Sequence, residues 1–298
     1  MLNVYEQVDR NKRRSFLVIF FFAIFIAFTT YVLGRAFGYG SSFVGIALIF
    51  SGLTSFLGYW YSDKIILGIS DARPATREED RLFTSVAENI SIAAGVPVPK
   101  LFVIDDSAPN AFATGRDINH AVICTTTGLL NRLNRTELEG VISHEMSHIK
   151  NYDMRLMSVV AVLVGMITLL ADWLLRVRVR DRDKEDGNIG IILMVAGLFL
   201  ALLSPLIAQL IQLAISRRRE FLADAGSAMI TRQPSGLISA LEKISKDKEP
   251  LEAANKATAH LYIANPFKDN QKGIGWFANL FNTHPPIEER IKALKEME

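Results

Sequence analysis

Four stretches of this chain stay apolar over lengths that helices of soluble proteins seldom sustain, and evenly patterned polar sequence lies between them. The first runs from Ser15 to Gly34, behind the basic cluster Arg10-Asn11-Lys12-Arg13-Arg14, and the second from about Ser42 to Tyr61. The third covers Leu156 to Leu175 and the fourth Ile189 to Ile215. Each approaches or exceeds the roughly 20 apolar residues needed to span a bilayer. Tyr59-Trp60-Tyr61 closes the second run with rings suited to the headgroup level. A secretory signal peptide shares the order of the first run, but its apolar core is shorter and a small-residue cleavage site should follow. Pro205 predicts a kink inside the fourth run.

Between and after these runs the pattern becomes that of a mixed domain. Apolar positions at Leu82, Val86, Ile90 and Ala93 predict a helix over Arg77–Ala94, stopped by Gly95. Lys100–Ile104 reads as a short strand. Asn110–Thr114 and Ala121–Thr125 flank Gly115-Arg116-Asp117-Ile118-Asn119 as a hairpin. Thr136-Glu137-Leu138-Glu139 has the form of a capping box, and the helix it opens shows no breaker before Leu156. Further helices are expected near Gly236–Lys246 and Ile287–Met297. No internal repeat or low-complexity tract is present.

The expected architecture is therefore a mainly α integral membrane protein with four transmembrane helices and an α+β domain holding a small sheet. Residues 1–14 form a basic amino terminus and 15–61 a membrane hairpin. Residues 62–155 supply the first part of the soluble domain, 156–215 a second hairpin with loop 176–188, and 216–298 the second part. Lysine and arginine bias places the amino terminus, residues 62–155 and Arg217-Arg218-Arg219 on the cytosolic side of the cell membrane. The loop from Arg176 to Lys184 runs against that rule. It is basic where an outer loop should not be, although acids interleave.

Composition narrows the function. Half of the residues are hydrophobic and mean hydropathy is +0.22. A formal net charge of +2 calls for no nucleic acid. Cys124, the single cysteine, excludes an internal disulfide and a cysteine-based metal site, and reads as a small buried residue.

His144-Glu145-Met146-Ser147-His148 carries the chemistry. Histidines four apart share one helix face, so both imidazoles can reach one ion. A catalytic zinc site keeps three protein ligands and an open position for water. Glu145 is rotated off the ligand line by about one hundred degrees. It can stand beside that water as general base rather than ligate the metal. Glu220 is the candidate third ligand, and Asp224, one turn later on the same face, could hydrogen-bond a ligating imidazole. His148 and Glu220 should both lie roughly 8–12 Å from the membrane if their spans pack as a hairpin. The plainer alternative for Glu220 is a surface ion pair with Arg217 or Arg219. His284 reads from its residues as a solvated turn histidine, and His120 and His260 carry no chemistry.

Taken together, Asn110-Ala111-Phe112-Ala113-Thr114-Gly115, His144–His148, Glu220–Ser227 and Thr283-His284-Pro285-Pro286 resemble the HtpX heat-shock membrane proteases, relatives of the CAAX prenyl endopeptidases. The resemblance spans nearly the whole chain. It implies a cytosolic, gluzincin-like protease domain binding one Zn²⁺ per chain through His144, His148 and Glu220, with Glu145 as catalytic base. It implies that Asn110, Ala111, Phe112, Ala113 and Thr114 form an edge strand that pairs with extended substrate. It also makes His284 and Arg290 catalytic candidates, His284 as a stabiliser of the oxyanion. The implied activity is cleavage of misfolded or damaged membrane proteins at the bilayer under stress, and a homo-oligomer stays open. The competing readings are a prenyl-processing protease, which in the resemblance carries more spans, a non-catalytic scaffold, which has no use for Glu145, and a transporter. The last lacks charges along its runs, where Asp172 is the main ionisable residue.

Overall fold

A computed structural model describes residues 4–36, 43–78, 80–180, 217–254, 258–266 and 285–298. The fourth apolar run with Pro205, residues 181–188 of the basic loop and His284 lie outside the described residues, while 176–180, expected in that loop, continue the helix of the third run to Arg180. Helix α1 (Val4–Ala36) packs against α2 (Phe43–Trp60) and against α7 (Asp153–Arg180). Val18, Phe22 and Ile26, four residues apart, turn inward from α1. Phe16, Phe20, Phe21, Ile24 and Phe28 face outward from it, as do Ile46, Ile49, Phe50, Leu53 and Phe56 from α2. Four spans were expected. Among the described residues no helix is long and apolar enough to cross a membrane.

The strands of the mixed domain follow the pattern closely, whereas the helix expected over Arg77–Ala94 starts at Arg81 and leaves Leu82 and Ala93, two of the positions that predicted it, exposed. After α3 (Ser62–Ile69) comes the two-residue strand β1 (Arg73–Pro74), and then α4 (Arg81–Ala94) buries Phe83, Val86, Ala87 and Ile90. Gly95 ends α4 at φ 69°, as its stop signal predicts. Strands β2 (Lys100–Ile104), β3 (Ala111–Gly115) and β4 (Ala121–Thr126) join β1 in the order β1-β2-β4-β3. β4 runs parallel to β2 and antiparallel to β3, with Ala113 opposite Ile123. β3 is thus an edge of the sheet. It is buried on both faces: Phe112 enters one core with Leu156, Val160 and Tyr262, while Ala111 and Ala113 enter a second with Val86, Val141 and Ile142. Cys124 is buried as expected, and burial pushes its thiol pKa up.

Beyond α5 (Thr127–Arg132) lies α6 (Arg135–Lys150), and two expectations change there. The capping box sits two residues earlier than Thr136. Asn134 accepts from the Glu137 N–H at 3.0 Å and the Glu137 carboxylate accepts from the Asn134 N–H at 2.8 Å. Asn134 is extended at the helix start, whereas Thr136 falls inside the first turn. The helix is also not continuous into the apolar run. It breaks at Asn151 and Tyr152, the latter at φ 58°. No glycine marks the break. Its compensation is tertiary: the Asn151 carbonyl accepts from the Asn11 side chain at 2.9 Å, and the Lys12 ammonium lies 4.4 Å from the Tyr152 ring. After the gap, α8 (Arg217–Thr231), α9 (Pro234–Lys246) and α10 (Ile287–Lys295) complete the domain around α6. His260, expected in a helical stretch, sits buried in a 3₁₀ turn, Ala259–Leu261.

Candidate active site

Helix α6 presents His144 and His148 one turn apart, as their spacing requires. Their rings meet edge to face with centroids 4.8 Å apart. Helix α8 crosses α6 with Gly226 against Ser147 and brings Glu220 to the same level. Both imidazoles, Glu145 and Glu220 are buried, none above 4% exposure. The surface ion-pair alternative for Glu220 therefore fails.

The distances fit one small cation. His144 Nε2 and His148 Nε2 are 3.2 Å apart. Glu220 Oε1 lies 3.5 Å from His148 Nε2, and Oε2 lies 3.7 Å from His144 Nε2. Two donors about 2.05 Å from an ion at the tetrahedral angle stand about 3.3 Å apart, close to the separation of the two nitrogens, and each of them has one Glu220 oxygen at a similar distance. The outer nitrogens agree. His144 Nδ1 is 2.9 Å from Asp224 Oδ1, and His148 Nδ1 is 3.3 Å from Asp153 Oδ2. With each Nδ1–H directed at a carboxylate, both Nε2 lone pairs are free to face a shared cation or proton, although Arg290 Nη2 also lies 3.4 Å from His144 Nε2. Two imidazoles and one carboxylate suit zinc chemistry.

A second layer holds these partners. Arg290 is fully buried and grips Asp224 with Nε at 2.9 Å and Nη2 at 2.7 Å. Its Nη1 donates to the Ile263 carbonyl at 2.9 Å and lies 3.6 Å from Glu220 Oε2. Burial raises the pKa of Asp224, but the charge of Arg290 and the bonds from His144 and Arg290 overcome it and hold it at about 2. Burial and the Arg290 charge lower His144 to about 4. Burial opposes charge on His148 too, yet the Asp153 bond and the Glu220 charge raise it to about 9. Glu145 is pushed up to about 7 by burial, with Glu220 adding to the rise while His148 and Arg290 oppose it.

The expected substrate strand lies beside this centre. The Ala113 N–H bonds the Glu145 carboxylate, which ties β3 to the proposed base. The strand is not open. Asn110 through Thr114 are all at most 3% exposed, and residues 258–266 run along the outer edge. The Ile263 N–H donates to the Ala111 carbonyl at 2.9 Å, and the Asn110 amide donates to the Ala264 carbonyl at 3.1 Å. His120 bonds Asp117 at 2.8 Å and His260 contacts the Met157 carbonyl at 3.1 Å, both away from the centre. Asp153 is the residue that reading the sequence missed. In a continuous helix it would stand about 140° around from His148, and the break at Asn151–Tyr152 turns it back.

The sequence matches peptidase family M48 over residues 77–298. It is 46% identical to the protease HtpX homolog of Dictyoglomus turgidum over 296 residues, which covers 98% of this chain and 94% of the relative. It is also 46% identical to that of Caldanaerobacter subterraneus subsp. tengcongensis over 300 residues, covering 99% and 98%. Among solved structures, the fold is similar to the crystal structure of S. mikatae Ste24p, with a TM-score of 0.51 and 20% identity. That likeness covers 97% of this chain and 67% of the Ste24p chain. The chain is a metalloprotease of peptidase family M48 and belongs to its HtpX branch.

Proposed function

We propose that this protein is a membrane-bound zinc endopeptidase that hydrolyses peptide bonds of unfolded or damaged membrane proteins at the cytosolic face. The observation that carries the reading is the convergence of His144, His148 and Glu220, whose donor atoms lie within 4.8 Å of one another, beside the buried Glu145, which is not part of that cluster. His144, His148 and Glu220 would hold the ion, which when bound supplies Lewis acidity toward a scissile carbonyl and lowers the pKa of a water. Glu145 takes the proton of the attacking water and passes it to the leaving amine. Its pKa of about 7 suits both halves of that transfer at neutral pH. Asp224 and Asp153 orient the two imidazoles, and Arg290 fixes Asp224. Extended substrate would pair with the outer edge of β3, over Asn110–Thr114, once residues 258–266 make room.

Membrane attachment is supported by the outward flank of α1 and α2, where Phe16, Phe21 and Ile49 are 64%, 63% and 73% exposed. Four spans, with the site above the cytosolic headgroups, are the arrangement we adopt. The purified protein in detergent, loaded with Zn²⁺, should cleave an unfolded reporter. Glu145→Gln should lower the rate by about 10²–10⁴-fold while keeping its metal. Undiminished cleavage by that variant ends the reading.

A further inference from the structure

Among residues 8–14, the described part of the polar start of α1, Asn11 is the buried one. Its neighbours Arg10, Lys12, Arg13 and Arg14 are exposed or half-exposed, whereas Asn11 is 2% exposed. Its amide uses both donors on residues about 140 positions away: Nδ2 donates to Asp153 Oδ1 at 2.7 Å and to the Asn151 carbonyl at 2.9 Å. Its Oδ1 lies 3.5 Å from Nη1 of Arg219, the residue before Glu220. Arg219 Nε is 3.7 Å from Asp153 Oδ1, and Asp153 turns its other oxygen to His148. One amide on the first helix thus touches the break after the histidine motif, the carboxylate behind His148 and the neighbour of Glu220.

We infer that Asn11 is a positioning residue of the metal centre, acting through Asp153, so that docking of the amino-terminal helix helps to build the site. The family match covers residues 77–298 and assigns nothing to residue 11. The chemistry is specific. Only an amide offers two donors here, one for a backbone carbonyl and one for a carboxylate, while accepting from a guanidinium. With leucine at 11, Asp153 loses its shortest hydrogen bond and is free to turn from His148. A purely architectural role is the rival, since Asp153 also lies in the first turn of α7, where an acid is favourable. That role predicts a less stable metal-free protein with unchanged metal affinity.

The inference rests on the metal-site reading above, and the test separates the two. The full chain in detergent is stripped of metal and titrated with Zn²⁺ against a competing chelator. A wild type that binds no Zn²⁺ sinks the metal site itself. With wild-type binding in hand, Asn11→Leu and Asp153→Asn should each weaken affinity about 10–100-fold. Their double variant should be no weaker than Asp153→Asn alone, because both act along one path. Phe22→Ala, which truncates a buried contact of α1 away from Asp153, should keep wild-type affinity. Asn11→Ala is read wherever the leucine variant fails to fold. Wild-type affinity in an Asn11 variant, multiplied losses in the double variant, or an equal loss in Phe22→Ala would each overturn the inference.

Discussion

Replacing Gly226 by alanine should damage the metal centre without touching any ligand. A Cβ at 226 would run into Ser147 Oγ and stand 3.0 Å from Ser147 Cβ. The hydroxyl can rotate away, but the Cβ is fixed to the α6 backbone between the two motif histidines. Carbon–carbon contact wants about 3.5–4.0 Å, so α8 must withdraw from α6 by roughly 0.5–1 Å. A helix moves as a unit, and Glu220 lies less than two turns away, so most of that shift reaches its carboxylate. Ligand distances in such sites tolerate only about 0.2 Å. We expect Zn²⁺ affinity to fall about 10–100-fold, by analogy with the loss of an outer-layer partner. Overpacking should cost about 1–3 kcal/mol of stability. Chelator competition reads the first quantity and thermal unfolding of the metal-free protein the second. The swapped pair Ser147→Gly/Gly226→Ala returns one side chain to the crossing and should restore most of the affinity, less about 1 kcal/mol of stability for a glycine inside a helix. Wild-type affinity in Gly226→Ala, or a swap no better than the single variant, refutes the argument.

Three further outcomes are expected. Arg290→Met strands the buried carboxylate of Asp224 and should cost about 3–5 kcal/mol; a thermal unfolding temperature within about 2 °C of wild type would show that the pair contributes little. Zn²⁺ uptake at pH 8 should release about one proton, because His148 titrates near 9 in the metal-free protein and must be neutral to ligate. Affinity should therefore rise about tenfold per pH unit from 7 towards 9 and level off above it, and calorimetry in buffers of different ionisation heat finding no released proton would contradict the His148–Asp153 pairing. Asn134→Ala removes the side-chain half of the capping box, leaving the backbone Asn134 N–H bonded to Glu137, and should destabilise the protein by about 1 kcal/mol, whereas Thr136→Ala, inside the first turn, should be nearly silent in the same unfolding experiment.

The parts legible in the sequence are those whose signal is local. β2, β3 and β4 were readable to within a residue because their runs are short and bounded by Gly115, Asn119 and the prolines before Lys100. His144 and His148 announce themselves by spacing, and Asp224 by lying one turn beyond Glu220. What stayed hidden depends on distant partners. Tyr152 takes a left-handed backbone with no glycine to advertise it, held by Lys12 and Asn11 from the far end of the chain. Asp153 therefore looked like an ordinary first-turn acid. Arg290 had no local signature either, since its meaning lies in Asp224 and Ile263, and only the resemblance pointed to it. The covering of β3 by residues 258–266 was equally silent, because Ile263 meets Ala111 across about 150 residues.

The buried charges around the centre explain why its groups titrate as they do. Among the described residues, Glu145, Asp153, Glu220 and Asp224 are four carboxylates, each at most 2% exposed. Against them stand two buried guanidiniums, Arg219 and Arg290. With neutral imidazoles the cluster carries two negative charges in excess, which is what one divalent cation balances. Uncompensated buried charge is costly, so the metal-free protein must balance the excess with protons. It does so at the two groups that no arginine grips: His148 rises to about 9 and Glu145 to about 7. Asp224, gripped twice by Arg290, stays ionised at about 2, and His144 beside the same arginine stays neutral. The arginine thus decides which side of the site keeps its charge. The proton on His148 holds the place of the ion, and Glu145, once ionised, is the carboxylate that would receive the proton of the attacking water.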